Sequence, residues 1–218
     1  MIPLRDVIPS RTTPYVTVTI IALNALAWFY EVALPPDALA RFLEVYGVVP
    51  AYLSAPTFLT SMFLHGSWSH VIGNMWYLWI FGDNVEDRVG HGRFVAFYLL
   101  CGVVAAFGQV AMNPESVLPM IGASGAIAGV MGAYFVLYPH SRVLTLVPLF
   151  FYYEIFEVPA IVLLGFWFLM QLFSAGAIAR MASTGGGVAF MAHVAGFVVG
   201  MIGVLVFRKR ERPQERWV

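Results

Sequence analysis

Charge is scarce in this sequence. Only 11% of the 218 residues are Asp, Glu, Lys or Arg, against about 25% in an average soluble domain. In their place 60% are hydrophobic, and the mean hydropathy is +0.80. A chain of this size cannot hide that much apolar surface from water. A soluble globular domain and a disordered chain are therefore both excluded. Net charge is missing as well: 12 basic residues balance 12 acidic ones, which leaves no basic excess for a nucleic-acid partner. Cys101 stands alone, so no intramolecular disulfide forms; it reads as a small core residue. There is no H-E-x-x-H, and no carboxylate near His65, His70 and His193 to complete a zinc site. No phosphate-binding glycine loop or dinucleotide fingerprint is present either. No metal and no cofactor are expected.

What the chain has is apolar runs. About 20 apolar residues cross a bilayer. Such runs lie at about 15–34, 67–82, 94–112, 121–138, 158–179 and 188–207. They predict an all-α, polytopic bundle of six helices over 15–207, with a polar segment at 1–14 and a basic tail at 208–218. The first run is too long for the core of a signal peptide, and further spans follow it. Residues 35–66 hold Pro35, Pro36, Pro50 and Pro56 but stay rich in Phe, Leu, Tyr and Val. They are expected to pack against the membrane face. Residues 143–157 carry Pro148, Glu154 and Glu157, which make a poor span, so an interfacial stretch is expected there.

Basic residues orient the spans. With six spans and the N-terminus inside, the inner segments hold Arg5, Arg11, Arg88, Arg93, Arg142, Arg208, Lys209, Arg210, Arg212 and Arg216. The outer segments hold Arg41 and Arg180. Ten against two places both termini in the cytoplasm of a multi-pass protein of the cell membrane.

Polar residues inside spans are costly and point to function. His70 and Asn74 open the second span, Gly122-Ala123-Ser124-Gly125 the fourth, and His193 lies near the start of the sixth. All three spans run from outside to inside. At 1.5 Å per residue these four polar side chains lie about 5–10 Å into their spans, in one layer below the outer surface. A serine and a histidine at one depth suggest nucleophile and general base. None of the 12 acidic residues lies in these three spans at that depth, so a Ser124–His193 dyad is expected rather than an acidic triad. His70, Asn74 and the backbone N–H of Ser124 are the candidate donors to an oxyanion. His65 could hold water near the site or be plain loop polarity. His91 and His140 are expected in inner loops with no special role. Gly125 with Gly129, and Gly196 with Gly200, are G-x-x-x-G pairs that let helices approach closely.

This constellation resembles the rhomboid family of intramembrane serine proteases. The matching elements are His70/Asn74, Gly122-x-Ser124-Gly125 and Ala192-His193 with Gly196 and Gly200. Glu86-Asp87-Arg88 resembles the family's Glu-x-Arg element, for which salt-bridge and hydrogen-bond roles are expected. The resemblance covers about 15–207 and implies a minimal six-span bundle. It implies Ser124 as nucleophile, His193 as base and acid, and His70 and Asn74 in the oxyanion hole. It further implies that 35–66 lies partly in the outer leaflet, that the fifth span is a lateral gate and that 113–120 cap a water-filled cavity. Substrates would be single-span membrane proteins. One departure stands out: Ala128 occupies the place where well-known bacterial members carry a tyrosine stacked on the histidine. Two other readings remain at this point. One is a catalytically inactive rhomboid-like protein that binds membrane clients; the other is a small transporter, though no inverted repeat of broken helices is visible.

Overall fold

The computed structural model describes residues 1–149, 152–181 and 189–209. The connection at 182–188 and residues 210–218 of the expected basic tail lie outside them. Eight α-helices are present among the described residues: α1 (Tyr15–Ala33), α2 (Pro36–Tyr46), α3 (Thr57–Thr60), α4 (Trp68–Val89), α5 (His91–Met112), α6 (Ser124–Leu137), α7 (Ala160–Met181) and α8 (Phe190–Phe207). Four of them, α1, α5, α7 and α8, are long and apolar enough to cross a membrane. With 22 residues, α4 has the length as well; its polar side chains gather at its two ends. At 14 residues, α6 is the shortest of the six, and every residue from Gly125 to Tyr134 is buried. A helix that is apolar and buried all round is a core element. Helices α4, α5, α7 and α8 pack against it, and α1 packs against α4 and α5, which makes the chain a multi-pass helical membrane bundle.

Close contact of α6 with α8 comes from the glycines. A Cβ on Gly196 would overlap the carbonyl oxygen of Gly125, and one on Gly200 the carbonyl oxygen of Gly129. The two backbones touch directly, which no other residue would allow. Gly90 serves a different purpose. Its φ of +92° turns the chain from α4 into α5 in a single residue, a conformation that only glycine adopts at little cost.

Glu86, at the far end of α4, is fully buried. Its carboxylate accepts the backbone N–H groups of Val16 (3.0 Å) and Thr17 (2.8 Å) and the Thr17 hydroxyl (2.7 Å). It thus neutralises the free N–H groups and positive dipole end of α1. His91 Nδ1 lies 2.5 Å from the same carboxylate, so this histidine has a structural partner that the sequence reading did not give it. Arg88 accepts the Lys209 backbone N–H at its carbonyl (2.8 Å). Glu86→Ala should leave buried donors unpaired and cost about 2–3 kcal/mol. Thermal unfolding in detergent checks this, with Glu86→Gln expected to fall between mutant and wild type.

A small sheet departs from the all-α expectation without disturbing the bundle. Strands β1 (Ile2–Asp6), β2 (Arg142–Leu149) and β3 (Tyr152–Pro159) form an antiparallel sheet in the order β1-β2-β3. So the stretch read as interfacial is a hairpin, and part of the polar N-terminal segment is its third strand. The reason is local. Pro148 and two carboxylates deny this stretch a spanning helix, while Val, Tyr, Phe, Ile and Thr suit a pleated surface. Trp76 Nε1 donates to the Pro3 carbonyl (2.7 Å). Asp6 Oδ2 accepts from Asn84 Nδ2 (3.0 Å) and the Tyr134 hydroxyl (2.7 Å). Burial raises the Asp6 carboxyl to about 6. The first residues of the chain are thereby fastened to α4 and α6.

Candidate active site

Ser124 is the first residue of α6. The chain reaches it through Gly122, whose φ is +123° and whose N–H donates to the Ser61 carbonyl (2.9 Å). A Cβ here would press to 2.8 Å against Cε1 and Nε2 of His70. Glycine is therefore needed twice over, for the left-handed turn and for room beside that ring. Since Ser124 lies in the first turn of its helix, its N–H has no intrahelical acceptor.

The partner of Ser124 comes from α8. His193 Nε2 stands 2.7 Å from Ser124 Oγ. The other ring nitrogen, Nδ1, stands 2.8 Å from Oε1 of Gln171 on α7. An amide oxygen only accepts, so Nδ1 carries the proton and Nε2 is left as an acceptor for the serine hydroxyl. Trp167, one turn before Gln171, lies beside the imidazole with ring centroids 5.8 Å apart and planes at 36°. Phe190 approaches the ring edge-on at 6.5 Å. These two rings flank the imidazole, while Ala128 on α6 offers it no aromatic partner.

On the opposite wall His70 and Asn74 project from α4. His70 Nδ1 accepts the Gly66 N–H (3.4 Å), which leaves Nε2 as the donor. Asn74 Nδ2 lies 3.0 Å from His65 Nε2. Burial, with His70 beside it, lowers His65 to about 4, so it is neutral at pH 7 and accepts from the Asn74 amide. The second amide hydrogen of Asn74 remains free for a ligand. The His65 backbone N–H is in turn held by the buried Glu31 carboxylate of α1, at 3.1 and 3.2 Å.

Ser124, His193, His70 and Asn74 all line one cavity of about 800 Å³, together with Tyr77, Trp167, Met120 and Ile121. The layer expected from span arithmetic thus corresponds to a single space. His65 supports its wall from behind. Residues 113–121 meet the 35–66 segment through paired backbone bonds between Val48 and Met120 (3.0 and 2.8 Å). Glu86 and Arg88 lie about 25 Å along α4 from His70 and belong to the architecture, not to this site.

The Rhomboid domain family matches residues 54–210, a span that contains every side chain lining the cavity. The chain belongs to the rhomboid family. Relatives of this rhomboid include Rhomboid protein 1, mitochondrial, of Saccharomyces cerevisiae, 27% identical over 81% of this chain and 49% of that protein. Rhomboid-like protein 11, chloroplastic, of Arabidopsis thaliana is 32% identical over 49% of this chain and 39% of its own length. Rhomboid protease GluP of Bacillus subtilis is 39% identical over 34% of this chain and 14% of its own length. The chain spans about half or less of the length of these three relatives.

Sequence reasoning missed three residues of the site: Gln171, Trp167 and Glu31. An acidic partner is the usual neighbour of such a histidine; here the group on Nδ1 is a neutral amide. The signal was present, because Gln171 is a polar residue inside an apolar run and sits four residues from Trp167, on the same helix face.

Proposed function

We propose that this rhomboid is an intramembrane serine endopeptidase that uses a Ser124–His193 dyad. The observation that carries the reading is the 2.7 Å contact between Ser124 Oγ and His193 Nε2, made at a helix N-terminus facing a cavity in the bundle. His193 takes the hydroxyl proton as Ser124 Oγ attacks a peptide carbonyl. The carbonyl oxygen becomes an oxyanion and receives hydrogen bonds from the Ser124 N–H, His70 Nε2–H and Asn74 Nδ2–H. The imidazolium then protonates the leaving amine. An acyl-enzyme ester remains on Ser124, and a water deprotonated by His193 hydrolyses it. Neither metal nor cofactor enters the scheme.

Substrates on this reading are single-span membrane proteins. A helix uses its own carbonyls in hydrogen bonds, so the segment must unwind before attack. The excess of basic residues in the segments near Gly90, Ser141 and both termini supports a reading with those ends in the cytoplasm. On this reading the cavity opens at the outer side of the cell membrane, and cleavage takes place there.

A mechanism-based serine reagent tests the reading, with the adduct located by mass spectrometry. Labelling of Ser124 is expected. An unlabelled but folded protein would favour a client-binding, inactive relative. Asn74→Ala should lower the cleavage rate about 10²-fold, the usual cost of losing one oxyanion donor. Initial rates on a reconstituted transmembrane substrate check this.

A further inference from the structure

We infer that Gln171 is a third, positioning member of the site: its amide oxygen holds the Nδ1–H of His193, and so fixes both the tautomer and the tilt of the imidazole. The inference rests on the protease reading of Ser124 and His193. Three observations converge on it. The Oε1···Nδ1 distance is 2.8 Å, as good a hydrogen bond as the one on the other side of the ring. The His193 side chain is buried, so water is a poor substitute partner. Trp167, one turn away on the same helix, flanks the ring, so α7 supplies both a face and an edge contact to the imidazole.

The chemistry follows from the neutral amide. Before attack, Gln171 selects the tautomer with the proton on Nδ1, the only one in which Nε2 accepts the Ser124 proton. After attack His193 is an imidazolium, and its Nδ1–H donates to the same oxygen. A carbonyl oxygen strengthens that bond as positive charge grows, but it accepts no proton. Gln171 therefore orients and steadies the base without entering the proton transfer. It differs from a carboxylate in leaving the imidazole less basic. The site holds a Ser–His–Gln hydrogen-bonded chain across three helices, α6, α8 and α7, and the base is correctly set only while α7 is seated against α8.

The test uses the full chain reconstituted in lipid, with a transmembrane substrate and three variants. Gln171→Leu keeps the volume and removes the acceptor. It should lower kcat about ten- to hundredfold, the cost of an unpaired buried N–H, with KM unchanged within about twofold. Gln171→Glu restores an acceptor and adds charge. It should recover most of the rate and move the acidic limb of the pH–rate profile upward by about one unit, because a carboxylate favours the imidazolium. Gln171→Asn shortens the reach and should resemble the leucine variant. A purely packing role predicts that Gln171→Glu is as poor as Gln171→Leu, with no shift in the profile; that result, or a leucine variant with wild-type kcat, overturns the inference. Nitrogen-15 NMR of histidine-labelled protein reads the tautomer independently of turnover. An Nδ1–H signal for His193, lost in Gln171→Leu, is expected. Its absence from the wild type refutes the positioning role even if the enzyme cuts. Its presence in a protein that neither cuts nor takes label on Ser124 refutes the protease reading instead.

Discussion

Ser124→Ala is expected to reduce cleavage of a reconstituted transmembrane substrate to background, and His193→Ala to do the same. A serine hydroxyl is a weak nucleophile until its proton is taken. Here the only base in contact with Oγ among the described residues is His193 Nε2, at 2.7 Å. On the proposed mechanism each residue is useless without the other, so the double variant should be no worse than either single one. That non-additivity is the mark of groups acting as a unit, and losses of about 10⁴- to 10⁶-fold are usual for it. The fold should be spared. Ser124→Ala removes one hydrogen bond beside a cavity and should cost about 1 kcal/mol or less, which thermal unfolding will show. Rates near wild type in Ser124→Ala would end the protease reading. A collapse in thermal stability would instead mean that Ser124 holds the bundle together.

The split between what was legible in the sequence and what was not has a physical cause. Hydrophobic length reveals spans, because lipid demands about 20 apolar residues and tolerates few exceptions. The six runs accordingly became the six helices of the bundle, with boundaries shifted by a few residues: α4 extends to Val89 and α6 begins at Ser124. Polar residues in such runs are rare enough to stand out, which brought Ser124, His193, His70 and Asn74 forward together. They line one cavity. The same approach failed where it relied on charge. Gln171 and the indole of Trp167 bear no charge, and their approach to His193 depends on how α7 packs, which no local pattern states. Glu31 was counted among the acidic residues, but only tertiary structure shows that its carboxylate caps the His65 backbone. The sheet was missed for another reason. Its strands β1 and β2 are separated by more than 130 residues, and pairing at that range leaves only a faint alternation in sequence.

Gly200→Val should abolish activity and also lower stability, unlike any change at the dyad itself. The contact of α6 with α8 has no side chain to yield. A Cβ at Gly200 would overlap the carbonyl oxygen of Gly129 and would lie 2.5 and 2.6 Å from that residue's carbonyl carbon and Cα. Overpacking in a core typically costs about 1–3 kcal/mol, and the upper end applies when backbone meets backbone. The helices must separate to admit the valine. Ser124 adjoins Gly125, and His193 lies one turn before Gly196, so a separation at the glycines is transmitted to the 2.7 Å contact. A misplacement of about 1 Å at reacting atoms can cost about 10² in rate, and a valine demands more. Gly200→Ala should fall between the two, with measurable activity and a smaller loss of stability. Gly176→Ala on α7 is the control, since a Cβ there meets nothing within 4 Å; it should be neutral in rate and unfolding. Labelling of Ser124 by the serine reagent separates the causes. A folded Gly200→Val protein that takes no label has lost its dyad geometry. One that labels and cuts normally would show that the glycine contact does not set the position of His193, and the alignment would then have to come from α7 through Gln171 and Trp167 alone.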